Sequence, residues 1–116
     1  MNTHRDLQVW KIARQLVLTV YQFTAKLPKD ERFVCVSQLR AAWSVQNNIA
    51  EGNAKRGNRE MRRFFDIALG SLAEVDSMIA TLPDIYETNS DVISGIEGMR
   101  RAITCGIFKI IKRHAR

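Results

Sequence analysis

Two prolines and six glycines in 116 residues are too few to turn the many short strands of a sandwich or barrel. Histidine is scarce as well, and the only two, His4 and His114, lie near the ends of the sequence. No Glu precedes either at the Glu-x-x-His spacing used by di-metal bundles, so neither a metal centre nor any other cofactor is expected. No Ser or Cys stands in a nucleophile motif, and no interior His is available as its base. Gly52 and Gly57 bracket a basic turn without the Walker pattern that cradles phosphate. Enzyme is therefore the weakest functional class, and no catalytic residue is assigned. The two cysteines, Cys35 and Cys105, read as reduced thiols packed like small hydrophobes. A membrane span is missing, since the longest uncharged run near the start, Gln15 to Ala25, is short and interrupted by Gln and Thr. A signal-peptide core is missing too, because His4, Arg5, Asp6, Lys11 and Arg14 fall where it would lie, and the expected location is the cytoplasm.

What is present is a balance of 46% hydrophobic and 26% charged residues, that of one soluble globular domain spanning residues 1–116. Val9, Ala13, Leu16, Val20, Phe23 and Leu27 recur at alternating spacings of four and three, which predicts a first helix from an N-cap at about Asp6 to a stop at Pro28. Lys29-Asp30 leads into a second helix, read as packing through Val36, Leu39, Trp43 and Ile49, with the small residues Ala41, Ala42 and Ala50 between, and ending near Gly52. The third stripe is the clearest: Met61, Phe64/Phe65, Ala68, Leu72, Val75, Ile79 and Leu82, closed by Pro83. Val92, Ile96, Met99, Ile103, Ile107 and Ile110 make a fourth. Four such helices joined by short loops predict an all-α, antiparallel up-down-up-down four-helix bundle. Ile67, Leu69, Phe108 and Ile111 lie off the core seams; they signify either a wide core-facing stripe or a surface buried against another copy, and the second reading is preferred.

Charge is unevenly placed. From Asp66 to Glu97 there are Glu74, Asp76, Asp84, Glu87 and Asp91 and no Lys or Arg. Lys55, Arg56, Arg59, Arg62 and Arg63 bracket the turn before the third helix, and Lys109, Lys112, Arg113 and Arg116 close the chain. In an antiparallel bundle both clusters share one end with His4 and Arg5. Cations at a helix C-terminus complement its dipole, but those at the start of the third helix oppose it, which favours an anion-binding role for that pole.

Within the second helix Ser37, Ser44, Asn48 and Glu51 fall near one stripe. They are either a mixed exposed face or an internal polar network. On the second reading Ser44 faces Gly70-Ser71, Arg40 pairs with Glu74 as a partly buried ion pair, and Glu51 approaches Arg62. Counting from the basic pole, Cys35 and Cys105 differ in height by roughly 16 Å at 1.5 Å per residue, too far for an intrachain disulfide.

The segments Asp6-Leu7-x-Val9-Trp10, Ser37-Gln38-Leu39-Arg40-Ala41-Ala42, Asn48-Ile49-Ala50-Glu51-Gly52 and Ala68-Leu69-Gly70-Ser71-Leu72-x-Glu74 together resemble a bacterial four-helix-bundle family. Its members are proteins encoded in intervening sequences of 23S rRNA genes and the accessory variability determinant proteins of diversity-generating retroelements. The resemblance covers essentially the whole chain, with Trp43 in place of the usual small aliphatic residue and Gln46 where Pro is common. It implies a homo-oligomer, a pentameric barrel of bundles, with a basic surface and no enzymatic activity. In retroelement members it further implies association with a reverse transcriptase and with nucleic acid. Two functions follow from the sequence: an accessory subunit binding RNA or DNA through its basic pole, or an interaction scaffold that binds no nucleic acid and whose charge of +6 serves solubility alone.

Overall fold

The computed structural model describes residues 3–114, and within them every side chain except those of Arg32, Val34 and Cys35. It contains four α-helices, α1 (Gln8–Ala25), α2 (Arg32–Ala54), α3 (Asn58–Ile85) and α4 (Ser90–His114), with short 3₁₀ turns at His4–Asp6 and Lys29–Glu31. Consecutive helices run antiparallel, and α1 also packs on α4, so the four close into a bundle in chain order. The backbones of diagonal pairs stand farther apart than those of neighbours; of the adjacent pairs, α2 and α3 share the most extensive contact, α3 and α4 the least. The long dimension is 47 Å and the cross-section 22 × 21 Å.

The α3 stripe is buried along its whole length, from Met61 through Phe65, Ala68, Leu72, Val75 and Ile79 to Leu82. α1 contributes Val9, Ala13, Leu16, Val17 and Val20, and α4 contributes Ile96, Ile103, Ile107 and Ile111. Ile111 lies one turn beyond Ile107 and joins the core seam rather than standing off it. Leu69 is half-buried, while Ile67 and Phe108 are exposed.

Helix α2 departs from the sequence reading. Its core face is Gln38, Ala41, Ala42, Val45 and Ile49, whereas Val36 and Trp43 are each 52% exposed. The small side chains mark the buried phase because they let α1 and α3 approach closely. At Gly52 an added Cβ would lie 2.7 Å from Cε1 of Phe65, so the α2–α3 crossing has room only for hydrogen there.

Two helix ends also differ. Asp6 does not cap α1: its Oδ2 accepts the Thr3 N–H at 3.0 Å, closing a capping box on the first 3₁₀ turn, and Leu7 precedes α1. Pro83 does not end α3, because proline removes one N–H and the last turn runs on to Ile85. The helix closes with Tyr86 N donating to Leu82 O at 2.8 Å, and the Tyr86 hydroxyl donates to Glu31 Oε2 at 2.7 Å, tying this end to the second 3₁₀ turn. Cys105 is exposed and unbridged; the Cys35 side chain lies outside the described residues.

Candidate nucleic-acid interface

Antiparallel order brings the start of α1, the end of α2, the start of α3 and the end of α4 to one pole. The juncture is fixed by Asn58, whose Nδ2 donates to the His114 carbonyl at 2.7 Å. Lys55, Arg56, Arg59, Arg62 and Arg63 thereby share an end with Lys109, Lys112 and Arg113, and all eight are exposed. Arg116 lies outside the described residues. The half of the bundle formed by residues 3–16, 43–71 and 102–114 carries eleven Lys and Arg against four Asp and Glu; the other half carries six against eight.

Few of these cations are engaged. Arg62 Nε lies 3.4 Å from Asp66 Oδ1 and Arg63 Nη1 lies 3.4 Å from Glu60 Oε2, both between well-exposed side chains where such pairs contribute little. Lys55 Nζ and Arg63 Cζ sit over the Phe64 ring, 5.0 and 5.3 Å from its centre, a cation–π arrangement that holds both charges beside α3. Arg56, Arg59, Lys109, Lys112 and Arg113 make no ion pair among the described residues. At the start of α3, Gly57 offers no side chain to cap the helix, so its first N–H groups remain available beside these cations.

The polar residues of α2 divide. Ser44 Oγ and Ser71 Oγ are 2.7 Å apart, and Asn48 Nδ2 donates to Ser44 O at 2.8 Å and to Ser44 Oγ at 3.0 Å. Arg40, Glu51 and Glu74 are exposed and stand outside this network, and the intrachain Arg40–Glu74 pair does not form. With Ser44 opposite Ser71, Arg40 is level with Val75 and Glu74 with Ala41. Val75 and Ala41 turn inward, so Arg40 and Glu74, one residue out of phase with them, turn outward despite their matched height. Glu51 reaches no cation among the described residues, and Arg62 pairs within its own helix instead.

The principal interhelical charge cluster involves Arg100, whose Nη2 donates to Glu97 Oε2 at 3.1 Å. Its Nε lies 3.1 Å from Asp76 Oδ1 on α3 without hydrogen-bond alignment, and Arg101 Nη1 lies 3.9 Å from Glu97 Oε2. The hydrogen bond from Arg100, then that with Asp76, holds the Glu97 carboxyl below its ordinary value. The same contact with Glu97, aided by burial, pushes Asp76 up. Only the Glu97-x-x-Arg100 spacing was available in the sequence to suggest this site; Asp76 joins it through the fold.

His4 and His114 both lie at the basic pole, and the His4 ring packs on Trp10 with centroids 5.1 Å apart. Among the described residues no three His, Cys, Asp or Glu side chains gather as metal ligands. None of the described helices is long and apolar enough to cross a membrane.

A family model described as 23S rRNA-intervening sequence protein matches residues 5–103. The chain belongs to the 23S rRNA-intervening sequence protein family. The match takes in α1, α2, α3 and more than half of α4, including the turn that carries Lys55 to Arg63. No curated protein matches the chain.

Proposed function

We propose that this member of the 23S rRNA-intervening sequence protein family is a non-catalytic, basic, homo-oligomeric accessory protein that binds RNA or DNA through its basic pole. One observation carries the reading: the Asn58–His114 hydrogen bond joins the start of α3 to the end of α4, so two cation clusters distant in sequence share one surface with few acids to neutralise them. Cations placed against the dipole at the start of α3 weaken that helix end, and a bound polyanion offsets the cost. On the retroelement branch of the sequence resemblance, a reverse transcriptase is the protein partner; on the intervening-sequence branch no such partner is implied.

With phosphates held by Lys55, Arg56, Arg59, Arg62 and Arg63, affinity is sequence-independent and falls steeply with salt. Four duplex contacts give a log–log slope of about −3 to −4. Binding of a generic RNA and a generic duplex at low salt, measured by fluorescence anisotropy, tests this with the natural chain and with the Arg59→Glu/Arg62→Glu/Arg63→Glu variant. The variant should bind at least tenfold more weakly while keeping its helicity and mass. No binding by the natural chain, or undiminished binding by the folded variant, favours the scaffold reading instead.

A further inference from the structure

Of the eight large apolar side chains exposed among the described residues, five, Leu18, Tyr21, Phe33, Val36 and Trp43, lie on α1 and α2. Phe33 is 72% exposed, Tyr21 58%, and Val36 and Trp43 52% each. Phe33, Val36 and Trp43 share one face of α2 with the exposed Arg40. Counting outward from the connection between the helices sets Tyr21 level with Val36, and Leu18 level with the half-buried Leu39. Exposed Trp, Tyr and Phe gathered around an Arg have the composition of a protein-contact centre.

The outward face of α3 is its opposite in shape and sign. Gly70, Ala73, Ser77 and Ala80 are exposed on it at helical spacing and make a flat floor, with exposed Ile67 and Ile85 near its ends. Glu74 lies at its centre and meets no cation of its own chain among the described residues. A glycine inside a helix weakens it, yet an added Cβ at Gly70 would meet nothing within 4 Å, so packing within the chain does not call for that residue.

We propose that the aromatic face of α1–α2 in one copy docks on the outer face of α3 in the next, with Arg40 of the first against Glu74 of the second. The proposal rests on the homo-oligomer reading above and specifies its contact. Arg40 is 14 residues before the end of α2 and Glu74 is 16 residues beyond the start of α3. At 1.5 Å per residue they stand about 21 and 24 Å from the basic end. Both heights lie near the middle of the 47 Å axis, so the faces meet with the bundles hardly shifted along their axes. Taken with the bundles parallel, the contact builds a ring rather than a climbing helix and sets every basic pole on one side of it. The faces are also different surfaces, so the contact is heterologous: each copy uses one face for each neighbour.

The test uses sedimentation velocity on the full chain, with circular dichroism to confirm helicity. The natural chain should sediment at several times 13.3 kDa. Phe33→Asp/Trp43→Asp removes the aromatic face and Ala73→Arg/Ser77→Arg blocks the α3 face, and all four positions are exposed, so the fold tolerates both. Each variant alone should be monomeric. Mixed in equal amounts, they should form a dimer and no larger species, because each supplies the one face that the other lacks. Arg40→Glu or Glu74→Arg alone should weaken assembly at least tenfold, and the two together in one chain should restore it. A natural chain monomeric up to about 100 µM, unchanged assembly of either face variant, or a mixture that stays monomeric would each overturn the proposal. Nucleic-acid binding by the folded monomeric variants is read separately, since the basic pole is intact in them; its failure would count against the proposed function and leave this contact standing.

Discussion

Gln38 is 2% exposed, and neither Oε1 nor Nε2 of its amide has a hydrogen-bond partner among the described residues. Burying an amide without partners costs about 1–3 kcal/mol, so Gln38→Met, which keeps the length and removes the polarity, should stabilise the fold by about 1–2 kcal/mol. Urea unfolding of the Phe33→Asp/Trp43→Asp background would measure this free of any assembly. The Asp76–Glu97–Arg100 cluster has the opposite character, with partners in excess. Glu97, held below its ordinary value by Arg100 and then Asp76, contributes stability at neutral pH that is lost as the pH falls through its folded-state value. Asp76, pushed up by Glu97 and by burial, favours the folded state in acid, and its contribution is lost as the pH rises through its folded-state value. The two effects offset, and side chains 28–43% exposed limit each to less than about 1 kcal/mol. A cleaner readout is the direction of each titration: carboxyl NMR should show Glu97 below its ordinary value and Asp76 above its own. Arg100→Gln should raise the Glu97 value by removing its largest cause.

At the level of helices, α3 was legible from sequence because its apolar residues are large and evenly spaced, and every residue of that stripe from Met61 to Leu82 except Phe64 is buried. The phase of α2 was not legible. Ile49 is buried and Leu39 half-buried as read, but Trp43 and Val36 point outward, and Gln38, Ala41, Ala42 and Val45 complete the contact face, so a reading weighted by size placed two of its four residues on the wrong side. Pro83 misled for a different reason: its cost is one hydrogen bond, which a helix within three residues of its end absorbs. The inverted role of size gives a direct test at Gly52. Adding a methyl group there drives it into the Phe65 ring, so Gly52→Ala should destabilise by about 1–3 kcal/mol despite the better helix propensity of alanine. Thermal unfolding followed by circular dichroism would measure the loss.

For the whole molecule, helix order and the sharing of one end by both basic clusters followed from the sequence, because short connections leave consecutive helices little choice but to run antiparallel. The Arg40–Glu74 pair did not follow. Matched distance from a turn fixes height, whereas a pair also needs matching helical phase, and the Ser44–Ser71 contact takes the inward phase. The separation of charge along the 47 Å axis has a kinetic meaning as well. A body positive at one end and slightly negative at the other carries a large electric dipole, which turns it in the field of a polyanion while the two are still apart. Collisions are thereby aligned end-on before contact, and the fraction that arrive correctly oriented shrinks as added salt shortens the reach of that field to within a Debye length of about 10 Å at 0.1 M.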